Sequence, residues 1–270
     1  MDISHIGLYI LLGFGVGALG TLIGAGGGFI LLPVLLLLFP DMPPEALTSI
    51  SLAVVFINAA SGSFAYSRLK RIDYRSGLRL ALATLPGAII GAYITQYIPR
   101  KAFDIVLGFV LLAVAAFLLL KPGYQAATLV TQRHRAHRTV TDREGTTYAY
   151  SFNMVTGVAV SFVVGFLSSL LGIGGGVIHV PFLATVLHFP VPIATATSHF
   201  ILAIMALAGT VAHIAQGNLT AGWPYVLSIG AGTVVGAQVG AWASHKIKPE
   251  WIIRTLAVAL FLVGLRLVMH

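Results

Sequence analysis

Apolar residues fill this chain in eight long runs, and the polar positions gather between the runs rather than within them. Four runs extend from His5 to Phe39, Pro44 to Ser67, Tyr74 to Tyr97 and Arg100 to Leu120. After a polar stretch, four more extend from Ser151 to Phe189, Pro192 to Ala215, Ala221 to Ser244 and Pro249 to Met269. A helix needs about 20 apolar residues to cross a bilayer, so the pattern predicts an all-α polytopic membrane protein. The first run of each set is longer than one span. As a single helix, His5 to Phe39 would measure about 50 Å against a hydrocarbon core of about 30 Å. It must break, and "GAGGGFILLP" (Gly24 to Pro33) is where it can; "GIGGGVIHVP" (Gly172 to Pro181) is the corresponding place in the second set.

The two sets match in order and length, with the glycine runs 148 residues apart. "LTSIS" at Leu47 to Ser51 faces "ATSHF" at Ala196 to Phe200. "GSFAY" at Gly62 to Tyr66 faces "GTVAH" at Gly209 to His213, and "PGAIIGA" at Pro86 to Ala92 faces "AGTVVGA" at Ala231 to Ala237. Four motif pairs in one order indicate an internal duplication of the kind many secondary transporters carry. The expected organisation is a first membrane repeat over 1–120, a cytoplasmic linker over 121–150 and a second membrane repeat over 151–270. Within the linker, Thr, Val and Tyr alternate on either side of Asp142-Arg143-Glu144-Gly145 in "HRTVTDREGTTYAYS", which predicts a small β-hairpin closed by a glycine turn.

Composition agrees with the membrane reading. The chain of 270 residues is 57% hydrophobic and only 9% charged, where a soluble domain carries roughly 25% charge. It has no cysteine, which excludes disulfides and thiolate metal sites. The N-terminal stretch lacks the basic start and small-residue cleavage site of a signal peptide and reads as the first span. The net charge of +8 points to the positive-inside rule rather than to nucleic acid. If the two halves are inverted, 13 of the 16 Lys and Arg residues fall on the cytoplasmic side, leaving Arg100, Lys101 and Arg266 outside. Parallel halves give 10 against 6. The rule therefore favours two inverted structural repeats, each with a glycine-broken first helix followed by further spans.

The breaks are the candidate site. Three adjacent glycines point around a whole helix, so packing on one face does not require them. Glycine pairs four apart, as in Gly87/Gly91 and Gly232/Gly236/Gly240, do suit helix packing. Unwinding at Gly26, Gly27 and Gly28, and at Gly174, Gly175 and Gly176, is expected to use positive φ. It frees backbone N–H groups, and the helix that restarts adds its own unpaired amides and the positive end of its dipole. Two inverted copies would aim two such N-termini at one central region, a site for an anion. Thr48, Ser49 and Ser51 in the first half and Thr197, Ser198 and His199 in the second are placed to add donors.

The middle of the spans contains no Lys, Arg, Asp or Glu, so a carboxylate proton relay is missing. Five histidines, His179, His188, His199, His213 and His245, lie in or beside the second half's spans. They raise an alternative, a histidine-lined metal-ion permease, although they lack acidic companions and ordered spacing. No nucleophile, base and orienting group can be assembled from spacing, so an enzyme is not expected.

These runs, the "ATSHF" segment, the duplicated layout and the "VTDREGTTYAYS" stretch make the chain similar to the TauE/SafE family of sulfite exporters, over nearly its whole length. The resemblance implies a multi-pass protein of the bacterial cell inner membrane. It also implies a secondary transporter, an exporter by the family's name, for a small anion such as sulfite, thiosulfate or an organosulfonate. The expected partners are that anion, the lipid bilayer and a coupling proton or sodium ion, without nucleic acid or cofactor. Where the second half has His199, the first has Ile50, so any histidine role would be one-sided.

Overall fold

The computed structural model describes residues 5–120, 135–244 and 249–269. Lys121, Arg133, His245, Lys246 and Lys248, which entered the charge and histidine readings, lie outside these residues. The described first half forms α1 (Ile6–Ile23), α2 (Gly28–Leu38), α3 (Pro44–Arg68), α4 (Tyr74–Thr95) and α5 (Arg100–Leu120). A hairpin of β1 (Arg135–Thr141) and β2 (Thr147–Asn153) follows. The second half repeats the order with α6 (Met154–Leu171), α7 (Gly176–Thr185), α8 (Val191–Ala215), α9 (Trp223–Ala243) and α10 (Pro249–Met269). Among the described residues, six helices are long and apolar enough to cross a membrane: α1, α3, α4, α6, α8 and α9. The fold is the all-α polytopic one that the apolar runs predict, and each half opens with a helix broken at its glycines.

Local sequence explains where the helices start and stop. Gly24 and Gly172 cap α1 and α6 in the left-handed region, at φ 82° and 63°, which residues with a Cβ enter only at a cost. Pro44 stands in the first turn of α3, where its fixed φ suits the helix and its missing N–H costs nothing. Asp73 caps α4 by accepting from the Ser76 N–H at 3.0 Å, and Asn153 caps α6 by accepting from Val155 and Thr156.

Packing between the halves is reciprocal. Helix α1 lies along α9, and α6 lies along α4, each first helix on the other half's fourth. Both contacts are parallel and close. Gly13 and Gly17 face Ile229 and Thr233, while Gly87 and Gly91 face the Phe166 and Leu170 backbone. The glycines spaced four apart thus have the packing role expected of them. Matching helices pair directly and run antiparallel. In α3 and α8, Ser49 reaches Asn218, Leu52 lies near Gly209, and Gly62 lies against His199. In α5 and α10, Gly108 meets Leu267 and Val268 while Leu112 meets Gly264.

The broken helices double back. Tyr9 at the start of α1 and Phe39 just after α2 both pack on the Tyr225 ring, with centroids 5.4 and 4.9 Å away. The α1–α2 pair therefore enters from one end of the bundle and returns to it. The α6–α7 pair does the same from the other end, where Phe189 packs on Tyr150 and Phe152 of the β-hairpin.

That β-hairpin pairs Arg135 with Asn153 through Thr141 with Thr147 and turns at Asp142 to Gly145. It docks on the α3–α4 loop through buried polar groups. Arg71 meets Asp142 at 3.3 Å, the Leu69 carbonyl accepts from the Arg143 N–H, and the Tyr150 hydroxyl donates to Asp73 at 2.8 Å. Arg138 lies 3.6 Å from the same Asp73 carboxylate. Burial, then the Asp73 charge, push the Tyr150 phenol well above its ordinary pKa, so it stays a donor. Burial, followed by the Asp142 charge, also raises Tyr148. Tyr150→Phe should lower stability by about 1.5–3 kcal/mol, the usual value of a hydrogen bond to a charged group. Asp73→Ala removes the α4 cap in addition to the Tyr150 acceptor, while Arg138 keeps its bonds to Ser76 and His137, and should cost about 2–5 kcal/mol. Denaturant melts of the two variants check the order. Equal losses would mean that Asp73 acts through Tyr150 alone.

Candidate functional site

At the first break the chain folds back on α1. The Gly24 N–H donates to the Thr21 carbonyl at 3.0 Å, and Ala25 and Gly26 donate to the Gly20 carbonyl at 2.8 and 3.1 Å. The α2 ladder begins with Ile30 and Leu31 donating to the Gly27 carbonyl, so the amides of Gly27, Gly28 and Phe29 stand ahead of it. In the second half, Ile178 and His179 donate to Gly175, leaving Gly175, Gly176 and Val177 in the same position. Positive φ occurs at Gly26, Gly27 and Gly174 (75°, 80° and 68°) but not at Gly28, Gly175 or Gly176. The expectation of left-handed backbone through both runs is corrected there. Gly175 has φ −59° as the residue before a helix.

Close approach is what Gly28 and Gly176 provide. The two breaks lie against each other. A methyl on Gly28 would sit 2.6 Å from the Ile173 carbonyl, and one on Gly176 would run into the Gly24 carbonyl and the Ala25 backbone. Val55 of α3 lies over Gly26, Gly28 and Gly174, and Leu202 of α8 lies over Gly26. Ala25, Phe29, Ile173 and Val177 are buried around this contact, so the centre is dry and closed.

The structure separates the expected side chains. Ser198 donates to the Gly24 carbonyl at 3.3 Å, and Ser51 donates to the Gly172 carbonyl at 2.7 Å, so each half's serine ties down the other half's break. Thr48 lies beside Gly172 with its hydroxyl buried and unpartnered. Ser49 instead donates to the carbonyls of Ala46 and Asn218. Thr197 accepts from the Asp73 N–H at 3.0 Å, holding the α3–α4 loop. His199 is 3.1 Å from the Thr21 hydroxyl, which itself donates to Asn58, and its ring packs edge-on against Tyr66. Tyr66 donates to the Thr21 carbonyl at 2.8 Å. Sequence reasoning missed Thr21 and Tyr66; the available signal was a hydroxyl one turn before a glycine break.

The other histidines stay apart. His179 pairs with Ser161 and His213 with Asn218, while His188 sits at φ 57° on the loop after α7. Among the described residues, no three His, Asp or Glu side chains come together. Two hollows, about 280 Å³ beside α7 and 250 Å³ beside α2, are lined chiefly by apolar side chains. They suit acyl chains rather than an ion.

Glycine breaks meeting at the centre of a polytopic bundle narrow the comparison to transporters. The model of the family described as Sulfite exporter TauE/SafE matches residues 9–267. The chain belongs to the TauE/SafE family. It is similar to the probable membrane transporter protein YunE of Bacillus subtilis, at 33% identity over 97% of this chain and 96% of that one. It is also similar to a probable membrane transporter protein of Methanocaldococcus jannaschii, at 28% identity over 96% and 93%. No solved structure matches it. As a TauE/SafE protein whose described residues include six helices long and apolar enough to cross a membrane, it is a multi-pass membrane transporter.

The packing of this TauE/SafE centre predicts a sharp contrast. Gly176→Ala must push apart two backbones and should lower the melting temperature or abolish folding. Gly15→Ala, on α1 with nothing within 4 Å of the added methyl, should leave stability within about 1 kcal/mol. Melting curves of the two purified variants test this, and equal behaviour would contradict the contact between the breaks.

Proposed function

We propose that this protein is a secondary transporter of a small oxyanion such as sulfite, thiosulfate or an organosulfonate. The anion binds where the two glycine breaks meet, held by amides of Gly27 and Gly28 and of Gly174 to Gly176, the Gly26 amide being taken by the Gly20 carbonyl. The carrying observation is that contact, with two sets of amides ahead of their helical ladders and no Lys or Arg among them. Dipole terms of about 0.3–1 kcal/mol per helix end, rising to ~2 when buried, favour a negative guest there. Hydroxyls of Thr48, Ser168 and Ser169 are buried without partners, so donors are in reserve near the second break. Val55 and Leu202 close the site in this conformation, and binding needs α3 and α8 to part.

The halves, 1–120 and 151–270, act as inverted repeats about this site, with the linker 121–150 on the cytoplasmic face. Antiparallel pairing of α3 with α8 and of α5 with α10 supports the inversion, as do two helix pairs entering from opposite ends. Export follows the family's description. A proton or sodium ion is the natural coupling partner.

Two measurements test this. Gly27→Ala is a poor probe, because its methyl would lie 2.7 Å from the Val16 carbonyl at a positive φ. Gly175→Ala meets only the side chains of Ser168, Val164 and Met205, so it should fold. Its methyl crowds a free amide and should weaken sulfite or thiosulfate binding roughly three- to tenfold by calorimetry. Unchanged affinity with a lowered melting temperature would sink the amide site.

For topology, the native chain has no cysteine. Glu144→Cys and Thr220→Cys should each react with an impermeant thiol reagent, from opposite faces of the membrane. Reaction from one face would rule out the inversion.

A further inference from the structure

A second polar feature lies toward the β-hairpin end of the bundle. A cavity of about 20 Å³ is lined by Leu22, Tyr66, Arg71, Val191, Thr195 and Ser244, among others. That is room for about one water, or one oxygen of an anion. Arg71 is 6% exposed, and its Nε is buried without a partner. One guanidinium nitrogen, Nη2, meets Asp142 at 3.3 Å, and Glu144 stands farther off at 3.8 Å. The fork has five donors; Nη2 serves the carboxylates and Nε is left without a partner. The Asp142 carboxylate also serves the hairpin, where Oδ1 accepts the Glu144 and Thr146 amides.

The cavity adjoins the first break. Tyr66 on its wall donates to the Thr21 carbonyl, and Thr195 packs against Gly24. The loop that carries Arg71 has a counterpart after α8. Arg71 N–H donates to the Tyr66 carbonyl as Asn218 N–H donates to the His213 carbonyl, and Lys70 and Gly217 occupy the same left-handed position. At the far end of the bundle, then, the place of Arg71 belongs to neutral Asn218, whose amide pairs with His213 at 3.2 Å. Between these two matching loops, the buried cation with a spare donor belongs to the one at the β-hairpin end.

We infer that Arg71, in this cavity walled by Tyr66, Thr195 and Ser244, forms a second oxyanion site that loads the central one from the β-hairpin side. This rests on the oxyanion-transport reading. The anion takes Nε and the free guanidinium donors in competition with Asp142. Because the equivalent loop position is neutral Asn218, the protein gathers anions at one face and releases them at the other. A cation–carboxylate pair that can exchange its carboxylate for a guest keeps the charge balanced when the site is empty.

The test is calorimetry with sodium sulfite on the full-length protein and three variants, alongside their melting curves. Asp142→Asn removes the competitor and should tighten binding about threefold or more. Arg71→Gln combined with Asp142→Asn removes both charges together, so no carboxylate is stranded. It should bind about tenfold more weakly than Asp142→Asn. Arg71→Lys keeps the charge and the pair with Asp142 but lacks the fork, and should lose affinity by an intermediate factor. If the double variant binds sulfite as tightly as Asp142→Asn, or if Arg71→Lys matches the native protein, the Arg71 site is refuted. Loss of binding in Gly175→Ala together with insensitivity to Arg71 would refute this site and leave the central one standing. Sulfite and thiosulfate failing to bind the native protein would overturn the oxyanion reading itself, and this inference with it.

Discussion

A backbone amide inside a bilayer must find a partner, because hydrocarbon offers none. Breaking a helix at membrane depth is therefore tolerable only where protein surrounds the break, and here each break is surrounded chiefly by the other. The Gly28–Ile173 and Gly176–Gly24 contacts put two irregular tips back to back. Serines from α3 and α8 take carbonyls of the opposite tip, at Gly172 and Gly24. Neither tip could sit where it does without its counterpart. The reciprocal packing of α1 on α9 and α6 on α4 delivers them there, and the glycine seams of those pairs let the helices come close enough for the tips to touch.

Much of this was legible in the sequence because it depends on length and local chemistry. An apolar run of 35 residues cannot be one span, and the glycines name the break. Asp-Arg-Glu-Gly between alternating Thr and Tyr names the β-hairpin. The partners of the hydroxyls were not legible. Ser49 and Thr197 stand beside Thr48 and Ser198 in sequence, yet they point to Asn218 and to the Asp73 amide. Neighbours on a helix diverge by about 100°, and which direction holds the break is decided by how α3 and α8 cross. Thr21 and Tyr66 became neighbours of His199 by the same crossing. Nor could the residue pattern separate glycines that turn the chain, as at Gly24 and Gly172, from those that admit another backbone, as at Gly28 and Gly176.

The two halves share one order of helices and differ in their polar economies. On the first-half side, Thr21, Asn58, Tyr66 and His199 form a linked set. The positions that answer Thr21 and Tyr66 are Ser169 and His213, and there the Ser169 hydroxyl and His213 Nε2 are buried without partners. Asn58 Nδ2 and His199 Nδ1 on the first side are buried without partners too. A buried donor or acceptor left open costs about 1–3 kcal/mol, so the closed conformation carries that cost on both sides, and a ligand or water that reaches either one recovers part of it.

The two ends of the bundle are also moored differently, and this bears on which parts can move together. At the far end, Arg100 of α5 donates to the carbonyls of Leu36 and Met42 at 3.0 Å each and is steadied by Asp104. A cation there serves the carbonyls and the negative pole at the end of α2, so α5, and with it α10, is tied to the first helix pair. At the linker end, the equivalent task falls to side chains of the β-hairpin, with Phe152 and Tyr150 against Phe189 after α7. That contact is apolar, while the polar grip of the same hairpin is on Arg71 and Asp73 of the other half. The hairpin therefore bridges the halves at one end, whereas Arg100 joins helices of the same half at the other. A rocking motion that opens the linker end must slide the hairpin on Phe189 or loosen it from Arg71. The far end can open with its Arg100 mooring intact.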